Sequence, residues 1–121
     1  MHILMVDDVA DTRELFAWFF RLEGHTVHTA NNGAEAVAAM ELEPHDAIVM
    51  DMNMPEMDGV EAIRHIRQLP QGQALPIILV TGDTAEERRA EAILAGASTV
   101  TYKPILPSFM LKHIEDYQPK S

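Results

Sequence analysis

Ala47-Ile48-Val49-Met50-Asp51 is an apolar run of strand length closed by a carboxylate. Runs of the same kind lie on either side of it, at Ile3–Val6 and Thr26–Thr29 upstream and at Ile77–Val80 and Thr99–Tyr102 downstream. The segments between them have helical spacing. Leu15, Phe19 and Leu22 recur at i, i+4 and i+7, Val37 and Met40 share a face, Val60, Ile63 and Ile66 form a third stripe, and Ala90, Ile93 and Leu94 a fourth. A last helix is predicted from about Pro107, a good first helical residue, to about Tyr117, with Leu106 unable to cap it by side chain. Gly24 and Gly96 fall where a helix end needs positive φ, and Thr84 with Glu87 has the spacing of a capping box for the fourth helix. Pro44, Pro70 and Pro76 sit between elements, where a missing N–H does no harm. Strand and helix therefore alternate five times. This predicts a doubly wound α/β fold, a five-stranded parallel sheet with helices on both faces, because each right-handed crossover covers a face.

The chain of 121 residues is long enough for one core and short for two, so residues 1–121 are expected to form one domain. Apolar residues make up 47% and charged residues 23%, which excludes a disordered or collagen-like chain. There is no cysteine, hence no disulfide, thiolate nucleophile or Fe–S ligand, which fits a reducing cytosol. The start, MHILMVDD, has neither a basic leader nor an apolar run near the roughly 20 residues that span a bilayer. Met1 precedes the first strand so tightly that an N-terminal or independent domain is expected, with Gln118–Ser121 a frayed tail. The net charge of −10 opposes a phosphate backbone, so no direct nucleic-acid contact is expected.

In open α/β sheets, ligands bind beyond the carboxyl ends of the strands. Here the first strand ends in Asp7-Asp8, the third in Asp51, the fourth in Thr81 and the fifth in Lys103. Three carboxylates at one edge repel unless they share a proton, gain hydrogen bonds or hold a cation. Mg²⁺, which takes oxygen ligands in an octahedron and keeps several waters, resolves the conflict. Lys103 adds a compact positive charge where a phosphoryl oxygen would need it, and Thr81 can donate a hydrogen bond there. The set suits phosphoryl transfer with Asp51 as nucleophile.

Asp7-Asp8 after an apolar strand, Asp51-Met-Asn-Met-Pro-Glu-Met-Asp-Gly59, Thr81-Gly82 and Lys103-Pro104, in this order, resemble the receiver domain of two-component response regulators, and the size is that of the stand-alone chemotaxis type. The resemblance spans nearly the whole chain. It implies the flavodoxin-like strand order 2-1-3-4-5, the order the receiver CheY is known for. It also implies that Asp51 is the phosphoacceptor, that Asp7, Asp8, Asp51 and the carbonyl of Asn53 bind Mg²⁺ directly or through water, and that Thr81 and Lys103 bind the phosphoryl group. The implied donor is a phosphohistidine of a sensor histidine kinase or histidine phosphotransfer protein, with the receiver catalysing both the transfer and its own later hydrolysis in the cytoplasm. The implied output is a changed face of the fourth helix, fifth strand and fifth helix that binds a downstream target, by a monomer or a phosphorylation-dependent dimer. Asn53 and Asp83 take the positions of the family's tuners of hydrolysis, Gly82 leaves room for water or a donor, and Lys103-Pro104 takes the place of a bond usually cis. One departure stands out: the family's aromatic switch position on the last strand is Val100 here, with Tyr102 next to Lys103.

Rival readings each lack a part. A flavin carrier would need glycine and hydroxyl residues after the first strand, where Asp7-Asp8 would repel a flavin phosphate. An aspartate-nucleophile phosphatase would want a second carboxylate where Asn53 stands. A receiver-like module independent of phosphate would not need the full acid and lysine set. Asp58-Gly59 reads as a turn before the third helix and Asp11 as leading into the first. Met52, Met54 and Met57 read as core fillers near Asp51. Arg88 and Arg89 read as a solvated helix face. The six histidines are scattered with no metal-binding pair, so the sequence gives a zinc centre little support.

Overall fold

The computed structural model describes residues 1–119. Its elements run β1 His2–Val6, α1 Ala10–Leu22, β2 Thr26–Ala30, α2 Gly33–Leu42, β3 Ala47–Asp51, α3 Gly59–Gln68, a 3₁₀ turn Pro70–Gly72, β4 Ile77–Thr81, α4 Glu86–Ala95, β5 Thr99–Tyr102 and α5 Pro107–Asp116. The five strands form one parallel sheet in the order β2-β1-β3-β4-β5, as the resemblance implied. Side chains alternate between its faces. Leu4, Val6, Ile48, Met50, Ile77 and Leu79 pack beneath α2, α3 and α4, and Ile3, Met5, Val49, Ile78 and Val80 beneath α1 and α5. A sheet buried on both sides explains why β3 and β4 are apolar throughout until their last residue.

Several sequence expectations hold in detail. Val60, Ile63 and Ile66 are the buried stripe of α3. Gly24 and Gly96 have φ of 93° and 122°. Leu106 is the uncapped N-cap of α5, and Lys103-Pro104 is cis. Asp58 is more than a turn residue, because its Oδ1 accepts the Glu61 amide at 2.9 Å and caps α3. Met52 and Met54 are buried core fillers.

Two helix faces differ from expectation. In α1 the buried side chains are Phe16, Ala17 and Phe20, with Phe19 packed at the margin, whereas Leu15 and Leu22 are exposed. The inward face is thus rotated one position, because the two aromatic rings fill the space above Ile3 and Met5 and stack edge to face. In α4 the buried residue is Ala92, while Ala90, Ile93 and Leu94 are exposed, Leu94 at 88%. Small residues let α4 sit close to the sheet, and its apolar stripe faces outward. The capping box is also overturned. Helix α4 starts at Glu86 after an uncapped Ala85, and Asp83 Oδ1 takes the Ala85 amide at 2.9 Å, an Asx turn that competes with capping by Thr84. At the C-terminus Gln118 donates to the Asp46 carbonyl at 3.2 Å and is tied down, and Lys120 and Ser121 lie outside the described residues.

Two contacts lock the layers, one at each edge of the sheet. At the amino-terminal edge, Arg67 of α3 donates to the carbonyls of Gly96, Gly72 and Leu75 at 2.7–3.0 Å, satisfying the end of α4 and the loop before β4 with one half-buried guanidinium. Gly59 starts α3 directly against the end of β3, where a Cβ would stand 2.6 Å from the Asp51 carbonyl oxygen and 2.8 Å from Leu79 Cδ1. Gly59→Ala is therefore expected to cost about 2 kcal/mol by overpacking. Urea unfolding checks this, and an unchanged midpoint would contradict it.

Candidate functional site

Register brings the polar strand ends together. Val6 pairs with Met50, so Asp7 comes level with Asp51 on the neighbouring strand. Asp51 pairs with Val80, and Thr81 pairs with Tyr102, which sets Lys103 one residue beyond. Carboxylate oxygens of Asp7, Asp8 and Asp51 lie within 4.8 Å of one another, with Asp7 and Asp51 buried and Asp8 exposed. Lys103 Nζ is 3.3 Å from Asp51 Oδ1, and the same oxygen accepts the Asn53 amide at 3.2 Å. Thr81 is buried, and its Oγ1 accepts from the Asp83 amide at 2.9 Å and from Asn53 Nδ2 at 3.4 Å. All six sequence-predicted site residues thus meet at one edge.

The local backbone explains the placement. Asp7 Oδ1 accepts the Val9 amide at 2.9 Å, which turns the chain from β1 into α1 and fixes one carboxylate oxygen. Arg13 reaches back from α1 to the Asp7 carbonyl at 3.0 Å, a support that no spacing in the sequence announces. After β3, the Met57 amide bonds to the Pro55 carbonyl at 2.9 Å and closes a tight turn in which Glu56 has φ of 69°. That turn carries the chain around the pocket to the capping Asp58. Beside Asp51 opens a cavity of about 310 Å³ lined by Asp7, Thr12, Phe16, Val49, Val80 and Lys103 among others. Met5, Leu15 and Ile105 add apolar lining beside the two carboxylates and the ammonium.

Burial pushes the carboxyls of both Asp7 and Asp51 above the ordinary 3.8, and the proximity of like charges adds to it. The Val9 amide holds Asp7 down in part, and the Asn53 amide and Lys103 do the same for Asp51. The donors suit a hard cation. Ligand oxygens around Mg²⁺ stand about 3–4 Å apart, and the three carboxylates lie close enough to share such an ion with water filling the rest of its shell.

A doubly wound sheet with an acid pocket and a lysine at its carboxyl edge is the architecture of a receiver domain. The family model of the response regulator receiver domain matches residues 3–115, and the chain belongs to that family. It is 39% identical over 117 residues to an uncharacterised 14.6 kDa protein of Leptolyngbya boryana, covering 97% of this chain and 89% of that one. The chemotaxis protein CheY4 of Vibrio cholerae superposes with a TM-score of 0.91 at 32% identity, over 96% of this chain and 97% of that one. The receiver domain of the Pseudomonas aeruginosa sensor histidine kinase PA1611, with a magnesium ion in its active site cleft, superposes with a TM-score of 0.87 at 28% identity, over 96% and 95% of the two chains. Several other curated relatives are longer regulators, and this chain spans less than half of their length. Receiver domains in general bind Mg²⁺ at an acidic pocket and act between histidine kinases and downstream effectors.

The raised carboxyls set a pH dependence. The folded chain keeps these protons to higher pH than the unfolded chain does, so without metal its stability falls as pH rises from 3.8 through the raised values. Asp7→Asn removes one buried charge and its repulsion. It is expected to raise the thermal midpoint at neutral pH by roughly 3–6 °C, about 1 kcal/mol for a domain of this size, and to lose most of that gain in acid. Thermal unfolding in chelator checks it, and a lower midpoint than wild type at neutral pH would contradict it.

Proposed function

We propose that this chain is a phosphorylation switch whose phosphoacceptor is Asp51, forming one receiver domain over residues 1–121 and working in the cytoplasm, where the family's kinases present their phosphohistidines. The observation that supports it best is the convergence of Asp7, Asp8 and Asp51 with Lys103 Nζ held 3.3 Å from Asp51 Oδ1. An Asp51 oxygen attacks phosphorus, the P–N bond to the donor imidazole breaks, and the imidazole leaves with that electron pair. Water later attacks the phosphorus, the P–O bond to Asp51 breaks, and inorganic phosphate departs.

Each residue has a part in these steps. The Asn53 amide and Lys103 favour the ionised, nucleophilic Asp51 against the burial that raises its pKa. Asp7, Asp8, Asp51 and the Asn53 carbonyl would hold Mg²⁺, which offsets the carboxylate charge and the charge of the incoming phosphoryl oxygens. Lys103 would meet a second phosphoryl oxygen and the Thr81 hydroxyl a third. Taking up that bond pulls the Thr81 hydroxyl away from Asn53 and rearranges the Asp83 turn that leads into α4. The chain thus has a route from the phosphoryl group to the face formed by α4, β5 and α5.

That face is built to meet a partner. Ile93, Leu94, Tyr102, Leu106 and Phe109 are exposed on it, and a groove between β5 and α5 is lined by Tyr102, Leu106, Phe109 and His113. At the family's aromatic switch position Val100 is buried, and Tyr102 is 37% exposed on the groove. A change at Thr81, which pairs with Tyr102, is transmitted here through the strand and not through an aromatic side chain at residue 100.

Incubation with Mg²⁺ and acetyl phosphate, read by intact mass, is expected to add one phosphoryl group, lost without metal and in Asp51→Asn. Labelling of Asp51→Asn at an undiminished level would refute the assignment, and no addition to folded wild type would favour a phosphate-independent binding module. Lys103→Ala is expected to keep Mg²⁺ binding and to slow labelling on the order of 10²-fold. An unchanged rate would remove its proposed role.

A further inference from the structure

At the opposite end of β1 from the acid pocket, three of the six histidines converge on one carboxylate oxygen. His2 opens β1, His28 lies in β2, and Glu43 and His45 flank Pro44 between α2 and β3. Glu43 Oε1 stands 3.0 Å from His2 Nε2, 3.2 Å from His28 Nδ1 and 3.8 Å from His45 Nε2, and the last two nitrogens are 3.3 Å apart. All four side chains offer a ligand atom within 4.8 Å of the others. Bonds of ~2.0–2.1 Å to a tetrahedral ion place its ligands ~3.3–3.4 Å apart, so these separations already approximate the edges of such a tetrahedron.

Hydrogen bonding aims the ligand atoms. The Thr26 hydroxyl lies 2.8 Å from His2 Nδ1 and 3.4 Å from the Met1 carbonyl. Both ring nitrogens of His2 are thus engaged, Nδ1 by the Thr26 hydroxyl and Nε2 by Glu43 Oε1 at 3.0 Å, which holds Nε2 at the meeting point. His28 Nδ1 and His45 Nε2 share at most one proton between them. The rings stack, with His2–His45 and His28–His45 centroids 4.4 and 5.4 Å apart, so the three imidazoles form one compact group. A single divalent ion at the meeting point satisfies all four groups. The site is also anchored: the His2 amide donates to Asp46 Oδ2 at 2.7 Å, and the His45 side chain is fully buried, its Nδ1 without a hydrogen-bond partner among the described residues.

We propose that His2, His28, Glu43 and His45 form a tetrahedral site for a first-row divalent ion, Zn²⁺ foremost, that ties β1, β2 and the loop before β3 together. Three imidazoles with one carboxylate suit Zn²⁺ and disfavour Mg²⁺, which takes oxygen donors, so the chain separates two metals at two sites. The sites lie at the two ends of β1, ~16 Å apart along the strand. Four protein ligands leave no open position, which makes the ion a clamp and not a catalyst.

The test is titration of the untagged full chain with Zn²⁺ against a chromophoric chelator in excess Mg²⁺. One Zn²⁺ per chain is expected, with Co²⁺ giving the intense visible bands of tetrahedral coordination. Glu43→Gln and His28→Asn, at partly exposed positions that leave the core intact, are each expected to weaken Zn²⁺ binding at least about tenfold and to abolish a Zn²⁺-dependent rise in Tm. Asp51→Asn should bind Zn²⁺ as wild type does. Failure to hold Zn²⁺ in excess Mg²⁺, undiminished binding by both ligand variants, or loss of binding in Asp51→Asn would each overturn the proposal.

Discussion

Repulsion among the carboxylates gathered at the carboxyl edge is the constraint around which this molecule is organised. Asp7 and Asp51 are buried side by side because parallel register leaves them nowhere else to go. Amide donors from Val9 and Asn53 and the ammonium of Lys103 offset part of that cost, and their carboxyls still sit above the ordinary value. A pocket so charged has standing affinity for a cation. The features nearby serve to keep the carboxylates in place: Gly59 lets α3 abut β3, and Arg13 holds the loop after β1.

The strands and the site were legible in the sequence because both depend on local pattern. A short apolar run ending in Asp, Thr or just before Lys announces a strand and its functional end together, and α/β alternation then assigns all those ends to one edge. The helix faces were less legible. In α1, Leu15, Phe16, Phe19 and Phe20 are all apolar, so spacing alone allows two overlapping stripes, and aromatic volume decides which one turns inward. In α4 the apolar residues are the exposed ones, because the small Ala92 is what packs against the sheet.

Supports made by long side chains were not legible at all. Arg67 bonds to carbonyls at residues 72, 75 and 96, and nothing in its own neighbourhood marks it. The histidines are the clearest case. His2, His28 and His45 are 26 and 17 positions apart and match no metal motif, yet β1–β2 pairing and the turn out of α2 bring them to one point. Their meeting is a product of register, which spacing does not encode.

The two ends of β1 therefore carry opposite chemistry. Hard oxygen donors at Asp7 and Asp8 meet Asp51 at one end, and imidazole donors gather around His2 at the other. Buried from Ile3 to Val6, β1 separates the two clusters.

A crystal structure with Mg²⁺ and beryllofluoride, a stable mimic of the phosphoryl group, tests the account most directly. It is expected to show the mimic on an Asp51 carboxylate oxygen, Mg²⁺ between Asp7, Asp51 and the Asn53 carbonyl with Asp8 direct or through water, Lys103 Nζ and Thr81 Oγ1 on fluorine atoms, and Tyr102 displaced. Mimic or metal seated away from Asp51 and Asp7 would contradict it.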